Sequence, residues 1–197
     1  MIKYISEHLA EKIISINDDV SNKKIYIYGL QIVLNTICTF LIIGICGIIF
    51  HRMIATLFFL FCYCSIRLWA GGYHASTNER CMSMFIIMYL LVNIFFTKLS
   101  FDFVTLLGLL IVENIMILNL APIAAVNNPI PEQLLGEMRI KSVTMASLVS
   151  IMVLVVFYWN EPIGIFGFWG ISWLVILLIM GKIQQFIGGY RNEKNYE

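Results

Sequence analysis

The chain has 197 residues, of which 60% are hydrophobic and 13% charged, with a formal net charge of +1 and a mean hydropathy of +0.86. A soluble globular domain is nearer half apolar and a quarter charged, so this composition excludes a soluble enzyme or binding module. The small net charge identifies no partner, and no nucleic acid is expected among them.

Residues 1–24 form the first element. Ile2, Ile5, Leu9, Ile13, Ile16 and Val20 recur at spacings of three and four, with Glu7, Glu11, Lys12, Asp18 and Asp19 between them. That pattern predicts an amphipathic helix lying in the membrane interface. A simple anchor is the plainer reading; docking an amphipathic substrate, or a second subunit to give a homodimer, is the sharper one. The segment is mixed in charge and the apolar run behind it is too long for a signal-peptide core, so no cleavable signal is read.

Residues 25–181 are expected to form one all-α polytopic membrane domain of about six transmembrane helices, near 26–50, 53–68, 82–97, 103–121, 143–159 and 163–180. Several are shorter than the roughly 20 residues that span a bilayer, which tilt or thinning accommodates. With a cytoplasmic N-terminus, 11 of the 13 Lys and Arg residues fall on the inner side and only Arg52 and Lys98 outside. The positive-inside rule therefore predicts both termini in the cytoplasm, with 182–197 as a cytoplasmic tail and the 67–81 segment facing the same way.

Between the second and third spans lies a polar stretch, Ala70-Gly71-Gly72-Tyr73-His74-Ala75-Ser76-Thr77-Asn78-Glu79-Arg80-Cys81. It carries the run Arg67-x4-Gly72-x-His74-x6-Cys81. Seven residues of continuous helix would separate His74 from Cys81 by about 10.5 Å along the axis, too far for proton transfer. If the two act together, the segment must break between them. Gly71-Gly72 is flexible, and Ser76 through Glu79 reads as a capping box, with Asn78 as an alternative cap. Either start puts Cys81 in the first turns of the third span, where the helix dipole favours a thiolate. Arg67 adds positive charge nearby.

Cys38, Cys46, Cys62 and Cys64 lie within apolar spans, where a thiol is a small inert hydrophobe. No disulfide framework is read from them. A metal site is weak, because His74 and Cys81 leave two zinc ligands missing, and no cofactor is expected. His-Glu-x-x-His and Gly-x-Ser-x-Gly are both absent. Three prolines between 121 and 131 predict a non-helical loop, and Asn160-Glu161-Pro162 a tight turn. Glu113 stands inside the fourth span, where a carboxylate normally faces a partner or water. Two readings stay open: an ion pair with Arg67, or a hydrogen bond to a neighbouring helix.

In a polytopic membrane chain of this length, the Arg67–Gly72–His74–Cys81 run resembles the accessory gene regulator protein B family. So do the amphipathic start, the span pattern and the Ala121-Pro122 through Pro129-Ile130 loop. The resemblance implies a bacterial cell-membrane endopeptidase of quorum sensing that processes a short amphipathic propeptide into a cyclic autoinducing peptide. It implies His74 and Cys81 as the catalytic pair; Arg67, Gly72, Asn78 and Glu79 are supporting residues on the reading of the segment itself. Some members carry lysines where this chain has Asn127-Asn128, so no substrate contact is carried over there. The alternative class is a non-enzymatic small transporter or peptide-binding subunit.

Overall fold

A computed structural model describes residues 2–17, 23–73, 77–124 and 131–193 of the chain. Among them it is helical almost throughout: α1 (Ile2–Asn17), α2 (Lys23–Ile49), α3 (Met53–Ala70), α4 (Asn78–Ile94), a 3-10 turn (Phe96–Lys98), α5 (Phe103–Leu120), α6 (Glu132–Trp159) and α7 (Glu161–Glu193). The helices belong to two compact units, one made of residues 1–46 and 75–90, the other of 47–74 and 91–197.

Among the described residues, five helices are long and apolar enough to cross a membrane: 29–49 within α2, then α3, α5, α6 and residues 161–187 of α7. At 17 residues α4 measures about 26 Å, a little under the roughly 30 Å hydrocarbon thickness. The expected count of about six is met by five full-length helices and this shorter one. Some ends differ. The helix of the third span starts at Asn78 and stops at Ile94, and α6 begins at Glu132, eleven residues before its apolar stretch. The apolar pattern marks only the part of a helix that lipid or core covers, while polar turns extend it. For the same reason α7 continues through Glu193, so most of the expected tail is helical.

In the first unit, α1 buries Ser6 and Ala10 and leaves Ile5 (39% exposed) and Leu9 (37%) open. Two residues of the apolar stripe are thus left open by the protein, while Ile13 is half-buried. Glu11 accepts a hydrogen bond from Lys23 Nζ at 3.0 Å, tying α1 to the start of α2, and Lys23 holds its carboxyl below the ordinary range. Val20, the last of the predicted stripe, lies outside the described residues.

In the second unit α7 is the central helix. Ile171, Leu174 and Leu178 of α7 share one core with Cys62, Ile66 and Ala70 of α3, Ala146, Val149 and Val153 of α6, and Leu106, Leu110 and Ile117 of α5. Spacings of three, four and seven place each set on one face of its helix. Small residues let the backbones close in: a Cβ at Gly170 would stand 2.8 Å from Phe59 O of α3. Close van der Waals packing of this kind, rather than water exclusion, holds helices together in lipid. α6 and α7 are joined through Asn160 alone, which caps α7 by accepting from Ile163 N.

Candidate functional site

Cys81 belongs to the first unit. The helix that bears it starts at Asn78, and Thr77 caps it: Thr77 Oγ1 accepts from Arg80 N at 3.3 Å and Thr77 O from Cys81 N at 3.2 Å. The predicted capping box is therefore corrected. Asn78 is the first helical residue and not the cap, Ser76 lies outside the described residues, and the position three after Thr77 holds Arg80, so Glu79 has no reciprocal place to Thr77. Glu79 instead lies exposed in the first turn, where a carboxylate complements the positive helix end. Cys81 is the fourth helical residue. Side chains tilt towards a helix's N-terminus, so its thiol leans over the turn whose leading N–H groups have no i−4 carbonyl. It is exposed, whereas Cys62 is buried and Cys38, Cys46 and Cys64 are half-buried.

The Arg67–Gly72 part of the run belongs to the second unit. There Arg67 folds over the end of its own helix: Nη1 donates to Gly71 O and Nη2 to Tyr73 O, the latter at 2.8 Å. Gly72 has φ +125°, and a Cβ on it would fall 2.0 Å from Arg67 Nη1. The Arg-x4-Gly spacing is therefore steric: the guanidinium occupies the place of a side chain. Gly71, at φ +64°, is equally constrained, since its Cβ would meet Ile123 O at 2.2 Å.

Extended backbone completes this arrangement. Ile123 N donates to Ala70 O at 2.9 Å, and Gly72 N donates to Ile123 O at 3.2 Å. The two segments form a short parallel bridge between Gly71 and Ile123. Tyr73 N then reaches into α7 and donates to Leu177 O at 2.9 Å. Gln185 Nε2 of α7 donates to Ala124 O at 3.1 Å. The described part of the proline-containing loop, 121–124, is non-helical as predicted. His74 itself, with Ala75 and Ser76, lies outside the described residues, as do Asn127 and Asn128.

One expectation about charges is corrected. Arg67 keeps its positive charge while its Nη groups donate to backbone carbonyls. Glu113 does not pair with Arg67. Its Oε1 accepts from Ser172 of α7, and Asn114 beside it donates to Ser150 Oγ of α6 at 2.8 Å. The second of the two readings of Glu113 is the one found, a hydrogen bond to a neighbouring helix. A neutral hydroxyl serves Glu113 Oε1 without a second buried charge, whose desolvation would be expensive, while Oε2 is buried without a hydrogen-bond partner.

Sequence reasoning missed Ile123, Leu177 and Gly181, which hold the 71–73 segment from distant parts of the chain. Only the Gly-Gly pair signalled that such a holder was needed. Among the described residues, no group of three or more His, Cys, Asp and Glu could hold a metal. A cavity of about 300 Å³ lies at the opposite end of the second unit, lined in part by Arg52, Thr97, Lys98 and Glu161, away from this chemistry.

Comparison with known proteins gives a consistent picture. Residues 2–178 match the family model described as accessory gene regulator B. An AgrB-like protein of Clostridium perfringens strain 13 is 26% identical over 195 residues, covering 90% of this chain and 91% of that one. Accessory gene regulator protein B of Staphylococcus epidermidis is 27% identical over 163 residues, with 83% and 73% covered. That of Staphylococcus aureus strain bovine RF122 is 29% identical over 128 residues, with 65% and 68% covered. No solved structure matches the chain.

Proposed function

Because the chain belongs to the accessory gene regulator B family of quorum-sensing membrane proteins, we propose that it is a cysteine endopeptidase that cuts a short amphipathic propeptide and promotes its cyclisation. One observation carries the reading: in a chain of this family, the single exposed cysteine, Cys81, stands at the start of a helix, seven residues after a histidine. Cysteines elsewhere sit among apolar side chains and serve as packing.

In this reaction His74 takes the thiol proton of Cys81, and the thiolate attacks the carbonyl carbon at the processing site. The tetrahedral intermediate collapses, the C–N bond breaks, and His74 returns the proton to the departing amine. An acyl-thioester stays on Cys81 while the C-terminal fragment leaves. A thiol within the substrate then attacks the thioester carbonyl, giving a thiolactone and restoring Cys81; a substrate hydroxyl would give a lactone. Leading N–H groups of α4 are the oxyanion donors. Arg67 shapes the segment that leads to His74. Exclusion of water at the bilayer edge protects the thioester from hydrolysis.

The substrate and the lipid bilayer are the partners, with α1 offering the open part of its apolar stripe to an amphipathic propeptide or to a second copy. Arg67, Arg139, Lys141 and Lys182 gather at one end of the second unit's helices, and Arg52 and Lys98 at the other. Under the positive-inside rule we read the 67–73 end of that unit as cytoplasmic, and the 11-to-2 distribution of Lys and Arg along the sequence gives the same reading for both termini.

The test is co-expression with the short propeptide encoded beside the gene, recognisable by an amphipathic start, an internal Cys or Ser and an acidic tail. Wild type should release the C-terminal fragment and Cys81→Ala should not. A propeptide left whole by the wild type would favour a transporter or peptide-binding subunit.

A further inference from the structure

Gly181 is buried in α7, one helical turn after Leu177. A methyl group there would lie 2.8 Å from Tyr73 N, 3.0 Å from Ile123 Cγ2 and 3.1 Å from Gly72 C. Two of these atoms are backbone, so rotating a side chain relieves little; the 72–73 segment itself has to move. The carbonyl that Tyr73 N reaches, Leu177 O at 2.9 Å, is the one α-helix geometry pairs with the N–H of Gly181. A carbonyl has a second lone pair, and the missing side chain at 181 opens it to a second donor. Gly108 of α5 differs: a Cβ there meets nothing within 4 Å.

We propose that Gly181, with Leu177 O and Ile123, is a positioning notch that seats Tyr73 and so fixes the next residue, His74, for its work on Cys81. The inference rests on the cysteine-peptidase reading and adds α7 and the 121–124 loop to the machinery. Adjacent Cα atoms are only about 3.8 Å apart, so displacing Tyr73 displaces His74 with it. Arg67 clamps the same segment from α3, which leaves 71–73 held from three sides.

The experiment uses the full chain in proteoliposomes. Iodoacetamide alkylation of Cys81 at neutral pH is followed by mass spectrometry, and propeptide cleavage is measured alongside. Gly181→Ala should lower both the alkylation rate and kcat by on the order of 10–100-fold, with KM within about twofold of wild type. His74→Ala should lower alkylation comparably, and the double variant no further, because the two changes remove one effect. Gly108→Ala should behave as wild type. If Gly181→Ala does not accumulate, Gln185→Ala carries the test. It removes only the link to Ala124 O, adds no bulk, and should lower both rates about fivefold. Wild-type rates in Gly181→Ala, or in Gln185→Ala where it stands in, would overturn the notch. So would an equal loss of alkylation when Gly181→Ala is added to His74→Ala. Unchanged alkylation and cleavage in His74→Ala would instead remove the peptidase reading, and the notch with it.

Discussion

At the scale of single residues, exposure separates Cys81 from the four cysteines that pack within helices. Under the proposed mechanism Cys81→Ala leaves no cleavage, and His74→Ala lowers it by about 10²–10⁴-fold, the usual contribution of a general base. Cys81→Ser should be severely impaired, since an alcohol is far less acidic than a thiol. Normal processing by either alanine variant, with the protein still in the membrane, would end the reading. Arg67 and Glu113 give a second prediction. Their side chains have separate partners, so Arg67→Gln, Glu113→Gln and the double variant should show additive losses of cleavage activity. Arg67→Lys should fare nearly as badly as Arg67→Gln, because an ammonium cannot present two donors in a planar fork to Gly71 O and Tyr73 O. A double variant no worse than Arg67→Gln alone would show that the two residues act as a unit.

Helix ends decide the next scale. Thr77 caps the helix that carries Cys81, so Thr77→Ala should cost about 0.5–2 kcal/mol of helix stability. Hydrogen exchange of the first turn of α4 would report it as faster exchange at 80–82 with the rest of the helix unchanged. Asp102 caps α5 by accepting from Thr105 Oγ1 and from Thr105 N, and those bonds hold its carboxyl below the ordinary carboxylate range. A folded-state pKa below the unfolded value gives stabilisation that is complete above about pH 4 and is lost as pH falls through the folded value. Melting temperatures of wild type and Asp102→Ala in detergent should therefore differ at neutral pH and converge in acid. A gap that widens on acidification would contradict this cap.

For the whole molecule, the proposed orientation makes a prediction independent of catalysis. A membrane-impermeant thiol probe applied to intact cells should leave Cys81 unlabelled and should label it after permeabilisation. Ready labelling from outside would invert the topology. The charge bias behind this prediction is visible in the chain, because cations beside a span resist translocation wherever the helices later pack.

The sequence by itself determined the membrane class, the helices, the amphipathic pattern of α1 and the one cysteine in polar surroundings. Each of these depends on local chemistry: hydropathy over a window, the 3.6-residue period, and the polarity of neighbours. Span ends were less legible, since polar turns prolong α6 and α7 without any apolar signal. Only the tertiary structure decided what the Arg67–Gly72 spacing is for, what Glu113 binds, and that Gly181 and Ile123 seat the residue before His74. Those are questions of which backbone approaches which across more than a hundred residues of chain, as Tyr73 and Gly181 do. A glycine that makes room for a distant carbonyl bond looks, in one dimension, like any other glycine in an apolar helix.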